Sequence, residues 1–119
     1  MLIYTVNMFN FFGPSVPNID ADALKKAIDS DEDCIILDVR TSEEFYKGKI
    51  KNAKNIPVDS IAKRVEKEIP DKQAKIYVYC LSGSRSNYAV QTMLKLKYAN
   101  VVTMQSGILA WRAKGYPLV

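Results

Sequence analysis

The chain has 119 residues, which is enough for one compact domain with a single core and too few for two catalytic domains. Apolar residues make up 48% of it and charged residues 25%, a balance that excludes an intrinsically disordered chain. The net charge of +4 mildly favours anionic partners, but the only local concentration of basic residues, between positions 47 and 54, is typical of a solvated loop. We therefore expect no nucleic-acid partner.

Residues 1–16 are interpreted as an apolar N-terminal arm that precedes a domain at 17–119. The run from Met1 to Phe12 has no basic start and no small-residue cleavage site, and it is too short to cross a bilayer, so we expect neither a signal peptide nor a membrane partner. Two interpretations of this run stay open: an extra strand, or an arm packed on the domain or on a second copy of the chain. With two cysteines and no export signal, the expected location is the cytoplasm.

Beyond Pro17, helix-like stretches alternate with short apolar runs. A helix is predicted at 20–28 from Leu24, Ala27 and Ile28 at helical spacing, and the nearly unbroken apolar run at 34–39 predicts a strand buried on both faces. Similar patterns predict, in chain order, a short helix at 41–46, a strand at 53–56, a helix at 59–69, a strand at 76–79, a helix at 86–98, a strand at 101–104 and a helix at 107–114. This alternation predicts an α/β fold with a parallel sheet covered on both faces.

The strongest candidate site follows the strand at 76–79. Ligands of open α/β sheets bind beyond the carboxyl ends of the strands, where Cys80 opens a short loop that leads into a helix. Gly83 permits a positive φ, and the small serines beside it allow backbone N–H groups to form an anion-binding nest. A helix N-terminus and the nearby Arg85 favour the reactive thiolate, so Cys80 is the predicted nucleophile.

The chain contains no histidine, which excludes a Ser-His-Asp triad, a Cys-His pair and a histidine metal site. We expect no metal and no cofactor. Cys34 opens its strand whereas Cys80 follows one, so the two lie too far apart for a disulfide and Cys34 is interpreted as structural.

The Cys80 loop resembles the active-site loop of the rhodanese family, at Cys80, Gly83, Arg85 and Ser86. Other family landmarks occur in the same order between Pro17 and Leu118: Asp38-Val39-Arg40 with Glu44-Phe45, the signature at 48–57, Gly107 with Trp111, and Gly115-Tyr116-Pro117. Two positions depart from the family pattern, because Lys49 replaces a frequent histidine and Ser106 replaces the first of two glycines. Neither lies in the catalytic loop. The resemblance implies one domain with a central five-stranded parallel sheet and helices on both faces.

The resemblance also implies sulfur transfer in two steps. The Cys80 thiolate takes the outer sulfur of a small anionic donor such as thiosulfate, and the resulting persulfide passes that sulfur to cyanide or a thiol. Asp38 and Arg40 are expected to brace the loops, by pairing with each other or with Glu44, rather than to contact substrate. The substrate-binding residues are expected to be the loop itself: Leu81, Ser82, Gly83, Ser84, Arg85 and Ser86.

Three alternatives stay open at this point. Phosphatases and arsenate reductases also place a cysteine and an arginine on a strand-to-helix loop, but four residues separate Cys80 from Arg85, where the related phosphatases have five. A persulfide carrier in a protein sulfur relay would receive its sulfur from a protein donor. A non-enzymatic binding module is disfavoured, because such modules typically lack the cysteine.

Overall fold

The computed structural model describes residues 16–119, which form a five-stranded parallel sheet with helices on both faces. The strands lie in the order β1-β5-β4-β2-β3. Their bounds are β1 (Asn18–Ile19), β2 (Ile35–Asp38), β3 (Lys54–Asn55), β4 (Lys75–Tyr79) and β5 (Asn100–Met104). The helices are α1 (Ala21–Asp29), α2 (Ser42–Tyr46), α3 (Ile61–Glu68, after a 3₁₀ turn at Val58–Ser60), α4 (Ser84–Lys95) and α5 (Gly107–Ala113).

The predicted α/β class and the five-stranded parallel sheet are confirmed. Each strand and helix predicted beyond Pro17 is present, with ends that shift by a few residues. The largest shift is in α4, which begins at Ser84 because Gly83 at its N-cap has a φ of 114°. It ends at Lys95, and the chain turns with Lys97 at a φ of 75°. Residues 96–98, which were predicted to continue this helix, therefore lie outside it.

The fifth strand is β1, which no apolar run in the sequence indicates. It has only two residues, Asn18 and Ile19, and it is set beside β5 by hydrogen bonds from Thr103 N to Pro17 O and from Gln105 N to Ile19 O. The predicted arm at 1–16 falls outside the described residues except for Val16, which is buried in the core. No helix within residues 16–119 is long and apolar enough to cross a membrane.

The core consists of two apolar layers, one on each face of the sheet. Side chains alternate along β4, so that Ile76 and Val78 face one layer and Tyr77 and Tyr79 face the other. Helices α3 and α4 cover the first layer, and α1 and α5 cover the second, which contains the buried Trp111. This double burial explains why the central strands are almost entirely apolar.

Strand register brings three chain segments to one edge of the sheet. Asp38 at the end of β2 lies opposite Tyr79 at the end of β4, and Val78 of β4 lies opposite Thr103 of β5. Cys80, the first residue after β4, is therefore flanked by the end of β2 on one side and by the end of β5 on the other.

Candidate active site

Cys80 is the first residue of the loop that joins β4 to α4, and it is buried, with 1% of its surface exposed. Its Sγ accepts hydrogen bonds from the backbone N–H groups of Gly83 at 3.1 Å and Ser86 at 3.3 Å. The positive φ of Gly83 turns the chain so that both donors point inward. Donors that converge on one sulfur stabilise negative charge on it, as required of a thiolate or a persulfide anion.

The residues expected to bind substrate take different places in this loop. Ser82 and Ser84 are exposed at its rim, and Leu81 is half-buried. Gly83 and Ser86 contact the sulfur, whereas Arg85 is engaged with Glu44 of α2.

A chain of hydroxyl groups continues behind the sulfur. Cys80 Sγ donates to Ser86 Oγ at 3.5 Å, and Ser86 Oγ donates to Gly83 O at 3.1 Å. Thr103, which is 4% exposed on β5, donates from Oγ1 to Ser86 Oγ at 2.7 Å. Thr103 was not among the predicted site residues, although a polar residue between the apolar Val102 and Met104 is the signal that could have identified it.

Thr103→Val is expected to slow alkylation of Cys80 by iodoacetamide about three- to tenfold, the value of one hydrogen bond. Valine keeps the volume of threonine but removes the hydroxyl that donates to Ser86 Oγ, the oxygen that contacts Cys80 Sγ at 3.5 Å. Thr103→Ser keeps the hydroxyl and should retain the wild-type rate. Equal rates for all three proteins, with unfolding transitions alike, would show that Thr103 has no effect on the sulfur.

The N-terminus of α5 fixes the other side of the loop. Ile108 N donates to Cys80 O at 2.9 Å, and Leu109 N donates to Leu81 O at 3.2 Å. Gly107 makes this approach possible, because its φ is +54° and a Cβ there would lie 2.5 Å from the Cys80 carbonyl oxygen. Gly107, which the sequence marked only as a family landmark, is thus required by close backbone contact with the Cys80 loop.

Asp38 and Arg40 form a buried ion pair. Arg40 Nη2 lies 2.7 Å from Asp38 Oδ2 and donates to Gly48 O at 2.6 Å. The side-chain amide of Asn55 donates to the carbonyl oxygens of both residues. These contacts tie β2, β3 and the loop between α2 and β3 together, which supports the bracing role expected of the pair.

Glu44 pairs with Arg85 rather than with Asp38 or Arg40. Arg85 Nη1 lies 2.7 Å from Glu44 Oε1, and Nη2 lies 3.1 Å from Oε2, a two-point contact between α4 and α2. The hydrogen bond from Arg85, assisted by hydrogen bonds from Thr41 and by the charge of Arg85, lowers the pKa of Glu44 to about 2. Both side chains are about one-third exposed.

The stabilisation from this pair is expected to depend on pH. The pKa of Glu44 falls from 4.5 to about 2 on folding, so the contribution is fully present above pH 4.5 and is lost as the pH falls toward 2. Urea unfolding of wild type and Glu44→Gln should differ by up to about 1 kcal/mol at pH 7 and converge near pH 2. A difference that is constant over this range would contradict the assignment.

A polar cavity of about 250 Å³ adjoins the loop, lined by Gly83 and Asn87 on one side and by Thr103 and Ser106 on the other. It is large enough for a small sulfur donor.

Cys34 lies at the start of β2, at the opposite end of the sheet, and both cysteines are free thiols. Burial raises the pKa of Cys34. Among residues 16–119, no three acidic or cysteine side chains are grouped to hold a metal ion.

Known proteins resemble this chain over most of its length. The family model for the rhodanese-like domain matches residues 20–114. A sulfurtransferase of Allochromatium vinosum is 35% identical over 104 residues, covering 87% of this chain and 95% of that protein. A putative sulfur carrier protein of Bacillus subtilis, YrkF, is 37% identical over 100 residues, and the chain matches 53% of its length.

Solved structures agree with these sequence relationships. The crystal structure of a rhodanese-related protein from Thermoplasma volcanium superposes with a TM-score of 0.77 at 33% identity, covering 87% of this chain and 98% of that one. The rhodanese-like domain of an Anabaena protein superposes with a TM-score of 0.81 at 27% identity, covering 88% and 80%. Together with the matched domain and the geometry of the Cys80 loop, these relationships establish that the chain belongs to the rhodanese family of sulfurtransferases.

Proposed function

We propose that the protein transfers sulfane sulfur from thiosulfate or a persulfide donor to a thiophilic acceptor, with Cys80 carrying the sulfur as a persulfide. The observation that carries this proposal is the convergence of the Gly83 and Ser86 N–H groups on Cys80 Sγ. Both donors stabilise an anionic sulfur, and neither requires a histidine.

The first step forms one S–S bond and breaks another. The Cys80 thiolate attacks the outer sulfur of thiosulfate, and sulfite leaves with the electron pair of the broken bond. Two negative charges arrive with the donor and two depart with sulfite, so no proton is transferred and no general acid is needed.

The second step returns the cysteine to its initial state. Cyanide attacks the outer sulfur of the persulfide and leaves as thiocyanate, and the bonding pair returns to Cys80 as the thiolate. A thiol such as glutathione or thioredoxin would serve as acceptor by the same displacement and would itself become the persulfide. Because both cysteines are free thiols, we propose the reducing cytoplasm as the setting.

The proposal is tested against the phosphatase alternative with two assays on one preparation. We expect thiocyanate to form from thiosulfate and cyanide, and we expect no hydrolysis of an aryl phosphate. Four residues separate Cys80 from Arg85, and the N–H groups of Gly83 within this stretch and of Ser86 just beyond it are already directed at the sulfur. If the protein hydrolysed the aryl phosphate and formed no thiocyanate, sulfur transfer would be contradicted and phosphatase activity supported.

A carrier in a protein sulfur relay is the second candidate, and the match to a putative sulfur carrier protein favours it specifically. A carrier would turn over slowly with small molecules, yet it would become persulfidated rapidly by a protein donor such as a cysteine desulfurase. Measuring how fast thiosulfate and a cysteine desulfurase each load sulfur onto the same protein distinguishes a free-standing enzyme from a carrier.

A further inference from the structure

The ion pair between Arg85 and Glu44 determines the net charge beside the Cys80 loop. Arg85 is the only cationic residue between Cys80 and Ser86, and its guanidinium is held by the carboxylate of Glu44 at 2.7 and 3.1 Å. A positive group that would otherwise attract an anionic donor is therefore neutralised by a fixed negative charge.

The Glu44 carboxylate is held in place from its own helix. Its Oε1 accepts from Thr41 N at 3.0 Å and from Thr41 Oγ1 at 3.1 Å, while Thr41 Oγ1 accepts from Glu44 N. This capping box begins α2 and fixes the side chain that reaches Arg85. A substrate that displaced Glu44 from Arg85 would have to compete with a pre-positioned two-point contact.

The pair lies within electrostatic reach of the reacting sulfur. The hydrogen bond to Glu44, with the charges of Glu44, Cys80 and Asp38, raises the pKa of Arg85. Arg85 immediately precedes Ser86, whose N–H donates to Cys80 Sγ at 3.3 Å, so a donor whose outer sulfur reaches Cys80 also approaches this ion pair. Arg85 uses two N–H groups on Glu44 and keeps others for hydrogen bonding, so the site retains donors but loses net positive charge.

We infer that Glu44 selects sulfur donors by charge, favouring donors with a single negative charge, such as an alkyl persulfide or a thiosulfonate, over the dianion thiosulfate. This inference rests on the proposed function and narrows its substrate class. At a distance the charge of Glu44 cancels the attraction that Arg85 would give to each negative charge of the donor, so a dianion loses more attraction through Glu44 than a monoanion does.

A matched pair of donors isolates this effect. Methanethiosulfonate, CH₃SO₂S⁻, and thiosulfate both give their outer sulfur to a thiolate, releasing methanesulfinate and sulfite respectively, but they differ by one unit of charge. The ratio of their kcat/KM values, measured by thiocyanate formation with cyanide as acceptor, is compared between wild type and variants. Intrinsic differences in donor reactivity cancel in this comparison.

Glu44→Gln removes the charge and leaves a residue that still supports a capping box. We expect it to raise kcat/KM for thiosulfate about five- to tenfold relative to methanethiosulfonate, with the gain shrinking as salt is added. Glu43→Gln makes the same charge change at an exposed position in the same helical turn and should leave the ratio within about twofold of wild type.

The possible outcomes separate this inference from the proposed function. If both donors load sulfur onto wild-type Cys80 but Glu44→Gln leaves their ratio unchanged, or lowers thiosulfate use relative to methanethiosulfonate, charge selection by Glu44 is overturned while sulfur transfer stands. If neither donor loads sulfur, the proposed function fails, and the inference fails with it.

Discussion

Replacing Cys80 with serine is expected to reduce thiocyanate formation to the level of the reaction without protein. A serine hydroxyl is not ionised at neutral pH and forms no persulfide, so the first step loses its nucleophile and the second step has no persulfide for the acceptor to attack. The fold should survive, because serine is close to cysteine in size and can accept the N–H bonds that Gly83 and Ser86 now give to the sulfur. We expect the free energy of unfolding to change by no more than about 1 kcal/mol.

Cys34→Ser is the matched control for this experiment, because it removes the other thiol at the opposite end of the sheet. Its turnover should equal that of wild type. Turnover retained by Cys80→Ser, or lost equally in both variants, would remove Cys80 from the reaction.

Gly107→Ala is expected to lower the free energy of unfolding by more than about 2 kcal/mol and to reduce sulfur transfer sharply. The new methyl group would lie 2.5 Å from the Cys80 carbonyl oxygen, and it would also contact the Leu81 carbonyl. Either α5 or the Cys80 loop must shift, and the hydrogen bond from Ile108 N to Cys80 O would weaken. Urea unfolding and thiocyanate formation measure the two effects.

Gly115→Ala separates steric contact from backbone strain. Gly115 has a φ of +74°, but a Cβ there meets nothing within 4 Å. This variant should be destabilised by about 1 kcal/mol through strain alone and should keep its activity. Equal losses of stability and activity in the two alanine variants would mean that contact with the Cys80 loop is not what requires glycine at 107.

The features that were predictable from sequence are those that local patterns encode. The apolar run before Cys80 indicates a central strand, and Gly83 indicates the tight turn after it, so the strand, loop and helix of the site follow from neighbouring residues. Buried strands on both sides of such a loop place its sulfur at the carboxyl edge of a parallel sheet.

The features that were missed depend on distances between elements. Arg85 and Glu44 are 41 residues apart, and Thr103 is 17 residues from Ser86. Their contacts require the packing of α4 against α2 and β5, which no spacing along the chain specifies. The strand β1 was missed for a related reason, because a two-residue strand is defined by its partner β5 and not by its own pattern.

The central claim, that Cys80 carries sulfur, is tested most directly by the intact mass of the reduced protein after incubation with thiosulfate or methanethiosulfonate. We predict a gain of about 32 Da, the mass of one sulfur atom, which maps to the peptide containing Cys80, disappears on addition of cyanide and is absent from Cys80→Ser. No gain with either donor, or a gain that persists in Cys80→Ser, would contradict it.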